Sequence, residues 1–255
     1  MQISGNTILV TGGGSGIGRA LAEAFHREGN QVIIAGRRQS VLDETTSANP
    51  GMASMVLDIE NKDAIKAFAA EIVQKFPSLN VVLNNAGIMQ FENLQQPLDE
   101  AAVESIISIN LLGTIRLTSA LLPHLLQQPK AAVLTVSSGL AFVPIFPTPT
   151  YCATKAAVHS WTQSLRYQLK DTSVEVIEII PPYVQTELTG PQQLSDPRAM
   201  PLIDYLNETF HILKTQPDVK EVLVERVKFL SQAAERGEYD KVYQTLNGIY
   251  AEQSH

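Results

Sequence analysis

Apolar and polar positions follow two rhythms along the chain. Short apolar runs occur at Ile8-Leu9-Val10, Gln31 to Ala35, Met52 to Leu57, Asn80 to Leu83, Ala131 to Val136 and Val174 to Ile180. Between them, apolar residues recur at helical spacing over Arg19 to Phe25, Gln39 to Ala48, Lys62 to Phe76, Asp99 to Leu126 and Thr150 to Lys170. The runs predict strands buried on both faces, and the longer stretches predict amphipathic helices. Stop signals agree with this division. Asn49-Pro50-Gly51 and Pro77 end the second and third helices, and Pro123 bends or ends the long fourth one. Regular alternation of strand and helix predicts an α/β fold, a parallel sheet with helices on both faces joined by right-handed crossovers. No repeat, low-complexity run or linker divides the chain, so residues 1–255 are read as one domain. Residues 187–216, punctuated by Pro191, Pro197 and Pro201, read as an excursion over a substrate. Asp218 to Ala234 and Glu238 to Tyr250 have helical apolar spacing. Residues 217–255 are therefore read as a helical segment closing the sheet after six strands, with no seventh.

The turn between the first strand and first helix changes the picture from fold to chemistry. It reads Thr11-Gly12-Gly13-Gly14-Ser15-Gly16-Ile17-Gly18. Glycine takes positive φ freely and lets a ligand approach the backbone, and the helix start offers free N–H groups to an anion. A second strand follows, so the turn opens a βαβ unit, the context a dinucleotide pyrophosphate site requires. The other conspicuous residues fall at the carboxyl ends of the strands. They are Gly36-Arg37-Arg38, Asp58, Asn84 to Gly87, Ser137-Ser138 and Pro181-Pro182. Ligands of doubly wound sheets bind at that end.

The T-G-x-x-x-G-x-G spacing resembles the short-chain dehydrogenase/reductase family. Four further motifs support the resemblance: Asn84-Asn85-Ala86-Gly87, Asn110 in an N-x-x-G setting, Ser138, and Tyr151-x-x-x-Lys155 thirteen residues after that serine. Alone, Y-x-x-x-K is more often a surface helical pair, and a helical Asn is as often a packing residue. The resemblance spans residues 6–188, and Val222 to Leu246 looks like the bacterial DltE-like subgroup. It implies a Rossmann-type doubly wound domain with strand order 3-2-1-4-5-6 and a catalytic set of Ser138, Tyr151, Lys155 and Asn110. Tyr151 is expected to be the general acid/base, with its phenol pKa lowered by the Lys155 ammonium. Ser138 would polarise the substrate oxygen, Lys155 would also hold the nicotinamide ribose, and Asn110 would hold a water connecting Lys155 to solvent. The implied cofactor-binding set is Gly12, Gly14, Ser15, Gly16, Ile17, Gly18, Arg37, Arg38, Asp58, Ile59, Asn85, Ala86, Gly87, Tyr151, Lys155, Pro181, Val184 and Thr186. Pro182 stands where family members usually have glycine.

Cofactor choice rests on the end of the second strand. An NAD-specific site places an acid there for the ribose 2′-hydroxyl, whereas this chain has Arg37 and Arg38. Two guanidiniums suit a 2′-phosphate, so NADP(H) is expected ahead of NAD. Both arginines could instead begin a solvated helix face. Leu140, Phe142, Ile145, Tyr183, Leu188 and Met200 suggest an apolar pocket for a small carbonyl or alcohol, although loop packing would use the same residues.

Composition narrows the partners. With 44% hydrophobic and 18% charged residues the chain is globular, and a net charge of −7 disfavours nucleic acid. The single Cys152 excludes an intramolecular disulfide, and no cluster has metal-ligand spacing. No apolar run reaches the roughly 18 residues of a membrane span, and the first strand begins too early for a signal peptide. A cytoplasmic protein is expected. The absent seventh strand would remove one of the family's two dimer contacts, so a homodimer built on helix 99–126 and the Tyr151 helix is expected. Two rival functions stay in view. A nucleotide sensor would need no proton donor, and a nucleotide-sugar epimerase or dehydratase would carry T-G-x-x-G-x-x-G and a longer substrate domain.

Overall fold

Seven parallel strands form one sheet in the computed structural model, which describes residues 1–251. They are β1 (Thr7–Thr11), β2 (Gln31–Gly36), β3 (Ala53–Val56), β4 (Leu79–Asn84), β5 (Ala131–Val136), β6 (Val174–Ile180) and β7 (Glu221–Leu223). Their order is β3-β2-β1-β4-β5-β6-β7. The helices are α1 (Gly16–Arg27), α2 (Gln39–Ala48), α3 (Lys62–Lys75), α4 (Glu100–Ile107), α5 (Thr114–Leu125), α6 (Pro149–Gln168), α7 (Leu202–Thr215), α8 (Lys228–Ser231) and α9 (Tyr239–Ala251). Side chains alternate across the pleat. Ile8 and Val10 join Leu21, Phe25, Tyr205 and Phe210 from α1 and α7 on one face. Leu9, Val82 and Val133 meet Phe68, Leu117, Leu121 and Leu165 from α3, α5 and α6 on the other. Both faces are therefore apolar, which is why the strands read as unbroken hydrophobic runs.

Polar residues interrupt this pattern in one row near the carboxyl ends. Asn84 pairs in register with Thr135, Thr135 with Glu178, and Glu178 with Glu221. A polar helix residue meets each of them. Asn84 donates to Thr118 on α5, Thr135 shares a hydrogen bond with Thr162 on α6, and Glu178 meets His159. Glu221 lies 3.8 Å from Arg166.

The long helix is continuous from residue 100 to 125, but Ser108–Gly113 is a π-helical turn between α4 and α5. Gly113 is needed there, because a Cβ would lie 2.9 Å from the Ile59 carbonyl oxygen. Among the described residues, only Glu100–Leu125 is long and apolar enough by composition to cross a membrane. In this fold Leu117, Leu121 and Leu125 bury one of its faces in the core.

The carboxyl-terminal part departs from the sequence expectation. The helix expected over 218–234 is replaced by the strand β7, a 3₁₀ turn at Glu225–Val227 and the short α8. Val222, Val224, Val227 and Leu230 fit either periodicity, and the open edge of β6 decides. Glu178 donates its N–H to the Lys220 carbonyl at 2.9 Å, and Val222 and Val224 are buried. The sheet thus gains the seventh strand that was not expected. With β7 at the sheet edge, the missing edge contact on which a homodimer was expected is no longer missing. Residues 187–216 also divide. Their first part borders the site, whereas α7 packs Phe210 on Phe25 of α1 with ring centroids 4.8 Å apart.

Candidate active site

A cleft of about 980 Å³ opens at the carboxyl ends of the strands, with a smaller recess of about 200 Å³ at its β2 side. The glycine turn forms the floor between them. Gly12 and Gly16 have φ of 66° and 52°, and a Cβ on Gly12 would lie 2.9 Å from the Asn85 amide nitrogen. A Cβ on Gly18 would strike the Gly12 carbonyl oxygen and the Asn85 amide, so α1 can start against the turn only with glycine. Ser15 precedes α1 without capping it through its side chain. The first-turn N–H groups at Gly16, Ile17 and Gly18 therefore stay available for a pyrophosphate. These features fit a dinucleotide.

The recess is lined by Gly36, Arg37, Arg38, Leu57 and Ile59. Arg37 and Arg38 are exposed, and neither makes a side-chain hydrogen bond or ion pair among the described residues. The Asp58 carboxylate accepts from the Glu60 N–H at 3.1 Å, and the flanking Leu57 and Ile59 line the recess. Asn85 and Ala86 are fixed by their N–H groups donating to the Thr11 hydroxyl at 3.0 and 3.1 Å. Thr186 lies across the turn, 3.6 Å from where a Gly16 Cβ would be. Pro181 and Val184 line the same wall.

Ser138, Tyr151 and Lys155 meet in the main cleft. Ser138 follows β5 by two residues, and its Oγ accepts from the Leu140 N–H at 3.1 Å. Tyr151 and Lys155 lie one turn apart on α6, which begins with Pro149 in its first turn. The Lys155 Nζ donates to the Val136 carbonyl at 2.8 Å and sits 5.6 Å from the Tyr151 ring centre. Burial pushes the Tyr151 phenol well above its ordinary 10.0, opposed by a hydrogen bond with Ser138. Burial also pulls Lys155 down from 10.5 to about 8, opposed by the Glu178 charge. In the protein without its cofactor the phenol is thus raised rather than lowered as expected from sequence, because desolvation outweighs the Ser138 hydrogen bond.

Asn110 sits in the π turn, buried. Its Oδ1 accepts from the Ile88 N–H at 2.8 Å, and its Nδ2 donates to the Ile88 carbonyl at 2.9 Å and the Thr154 hydroxyl at 3.2 Å. The side chain thus ties the loop after β4 to α6. A Cβ on Gly87 would come within 3.3 Å of Asn110 Oδ1 and 3.7 Å of Lys155 Nζ, so a side chain there would crowd Asn110.

The substrate side is more polar than expected. Leu140, Tyr183 and Leu188 do line the cleft, and Ile145 packs under Tyr151. Phe142 instead packs at a tilt against His159, ring centroids 4.6 Å apart, and Met200 pairs with Val184 and is buried. Asp196 and Arg198 enter the wall as a 2.6 Å ion pair, with the Tyr183 hydroxyl donating to Asp196 at 3.2 Å. That pairing holds the Asp196 carboxyl well below the usual range, whereas burial and then Asp196 raise Tyr183 to about 12. Leu246 and Tyr250 of α9 complete the wall against Tyr151. Their four-residue spacing was readable as one helix face, but nothing local in the sequence says where that face docks.

Similarity to known proteins agrees with this arrangement. A family model described as short chain dehydrogenase matches residues 6–196. An uncharacterized oxidoreductase of Bacillus subtilis (strain 168), DltE, is 38% identical over 251 residues, covering 97% of this chain and 98% of its own. A short-chain dehydrogenase from Sphingobium yanoikuyae in complex with NADPH is 25% identical with a TM-score of 0.77, covering 94% of both chains. One from Burkholderia phymatum in complex with NAD, 19% identical, shares the fold with a TM-score of 0.78 over 93% of this chain and 96% of its own. The fold alone therefore does not choose between the two nucleotides.

Proposed function

The chain belongs to the short-chain dehydrogenase family, and on that premise we propose that it is an NADP(H)-dependent oxidoreductase interconverting a secondary alcohol and its ketone, or an aldehyde. The observation that carries this reading is the meeting of Tyr151, Ser138 and Lys155 at the wall of a nucleotide-sized cleft. NADPH would supply a hydride to the carbonyl carbon, and the oxygen must then gain a proton. Tyr151 gives that proton from its hydroxyl and takes it back in alcohol oxidation. Ser138 donates a hydrogen bond to the same oxygen as its charge grows. Lys155 stabilises the phenolate left behind, since its ammonium lies over the ring. Asn110 holds the Ile88 and Thr154 ends of this wall together with its side chain, and its backbone carbonyl, which accepts from the Thr114 hydroxyl at 3.3 Å, is the group for a connecting water.

Nucleotide preference follows from Arg37 and Arg38, two exposed guanidiniums with no protein partner among the described residues. A charge-assisted hydrogen bond to the 2′-phosphate contributes roughly 1.5–3 kcal/mol, or about one to two powers of ten in affinity. Fluorescence titration should show tighter binding of NADPH than NADH, and Arg37→Ala should narrow the gap. Equal affinities in the unmodified protein would refute the preference. Screening NADPH oxidation against a panel of ketones and aldehydes tests the reaction itself.

A further inference from the structure

Glu178 is fully buried in β6, yet it carries a carboxylate between apolar neighbours, Ile177 and Ile179. Removing a charge from water costs several kcal/mol unless partners offset it. An aliphatic residue would fill this strand position without that cost. Its partner is His159, whose Nδ1 lies 2.8 and 3.0 Å from the two carboxylate oxygens. His159 stands one helical turn after Lys155 on the same face of α6. Lys155 is anchored on the Val136 carbonyl, and Val136 follows Thr135, the residue in register with Glu178. The buried carboxylate therefore lies against the face of α6 that carries Lys155, one helical turn along from it.

Resting on the reading of Lys155 as the cation beside Tyr151, we propose that Glu178 is a positioning residue that holds Lys155 in its ammonium form. His159 sets how much of the Glu178 charge Lys155 feels. The charged and titratable groups around the pair are Lys155, His159 and Arg166 from α6 and Glu221 from β7, with Gln163 on the outer nitrogen of His159. Hydrogen bonding to Glu178 raises the His159 pKa above 6.5, opposed by burial. In acid, imidazolium and carboxylate cancel and Lys155 needs no help to stay protonated. As pH rises and His159 loses its proton, the carboxylate charge is uncovered. The uncovered carboxylate then favours the Lys155 ammonium, whose own pKa lies at about 8.

The test reads the Lys155 proton directly, without substrate or cofactor. The full chain, labelled at lysine Cε and Nζ, is titrated by NMR as wild type, Glu178→Gln and His159→Gln, with Lys155→Arg used to assign the signal. Glu178→Gln keeps size and hydrogen bonding, and it should move the Lys155 midpoint down by about one pH unit. His159→Gln keeps a donor toward Glu178 without a positive charge, so the midpoint should stay or rise. An unchanged midpoint in Glu178→Gln would overturn the proposal. So would a fall in His159→Gln, which would signal loosened packing rather than charge. Should Glu178→Gln not fold, the direction of the His159→Gln shift decides alone: staying or rising supports, falling overturns. NADPH titration of the same samples is a separate readout, and its failure would strike the proposed function while leaving the Lys155 result standing.

Discussion

At the scale of single residues, the site is a set of groups held out of water at some cost. Burial favours the neutral Tyr151 phenol before nucleotide binds, and under the proposed function its contribution is positioned proton transfer. Tyr151→Phe should reduce the rate of carbonyl reduction on the order of 10²–10⁴-fold while leaving NADPH affinity nearly unchanged; near-native turnover would remove it from the mechanism. Lys155 carries the opposite strain. A base whose folded value is depressed from 10.5 to about 8 opposes folding at all pH values below 8 and ceases to do so as pH rises toward 10.5. Lys155→Met should therefore stabilise the fold, by on the order of 2 kcal/mol at neutral pH, while abolishing activity. Thermal melts should show a gain of several degrees that shrinks in alkaline buffer. A lower melting temperature at pH 7 would contradict the depressed value.

At the scale of elements, what was legible depended on whether the signal was local. β1, β5, β6, α2 and α9 carry unbroken apolar runs or helical spacing, and each lies within a residue or so of its expected place. The glycine turn, Ser138 and Y-x-x-x-K were likewise legible because spacing fixes their relative geometry. Three features were not. β7 is three residues long and exists because β6 offers an edge. The π turn at Ser108–Gly113 depends on Ile59 and Ile88, both distant in sequence. Asp196, Arg198 and Tyr250 enter the cleft through tertiary docking alone. The excursion after β6 shows both outcomes, since α7 belongs to the core while Glu187, Leu188, Thr189, Gln192 and Arg198 border the cleft. A lid would then be residues 187–198 without α7. Limited proteolysis should cleave that stretch in the free protein and spare it with NADPH and a carbonyl compound present; identical cleavage in both conditions would mean that it does not close.

At the scale of the whole molecule, stability and site share the polar row that crosses β4 to β7. Because the folded pKa of His159 is raised above 6.5, its ion pair stabilises fully below that value and the contribution is lost as pH climbs through the raised one. His159→Gln should thus melt below wild type at about pH 6 and converge with it in alkaline buffer; a constant difference across pH would assign the effect to packing. The two sides of the cleft also come from different stretches of chain. Its nucleotide floor and recess are built mainly before residue 92, and the wall facing the substrate comes from 138–155, 182–198 and 230–250. Inheritance can act on them separately. A crossover within β6 would pass on one parent's nucleotide floor and the other parent's carboxyl-terminal wall, so a lineage of such enzymes can change what it acts on without relearning how to hold its nucleotide.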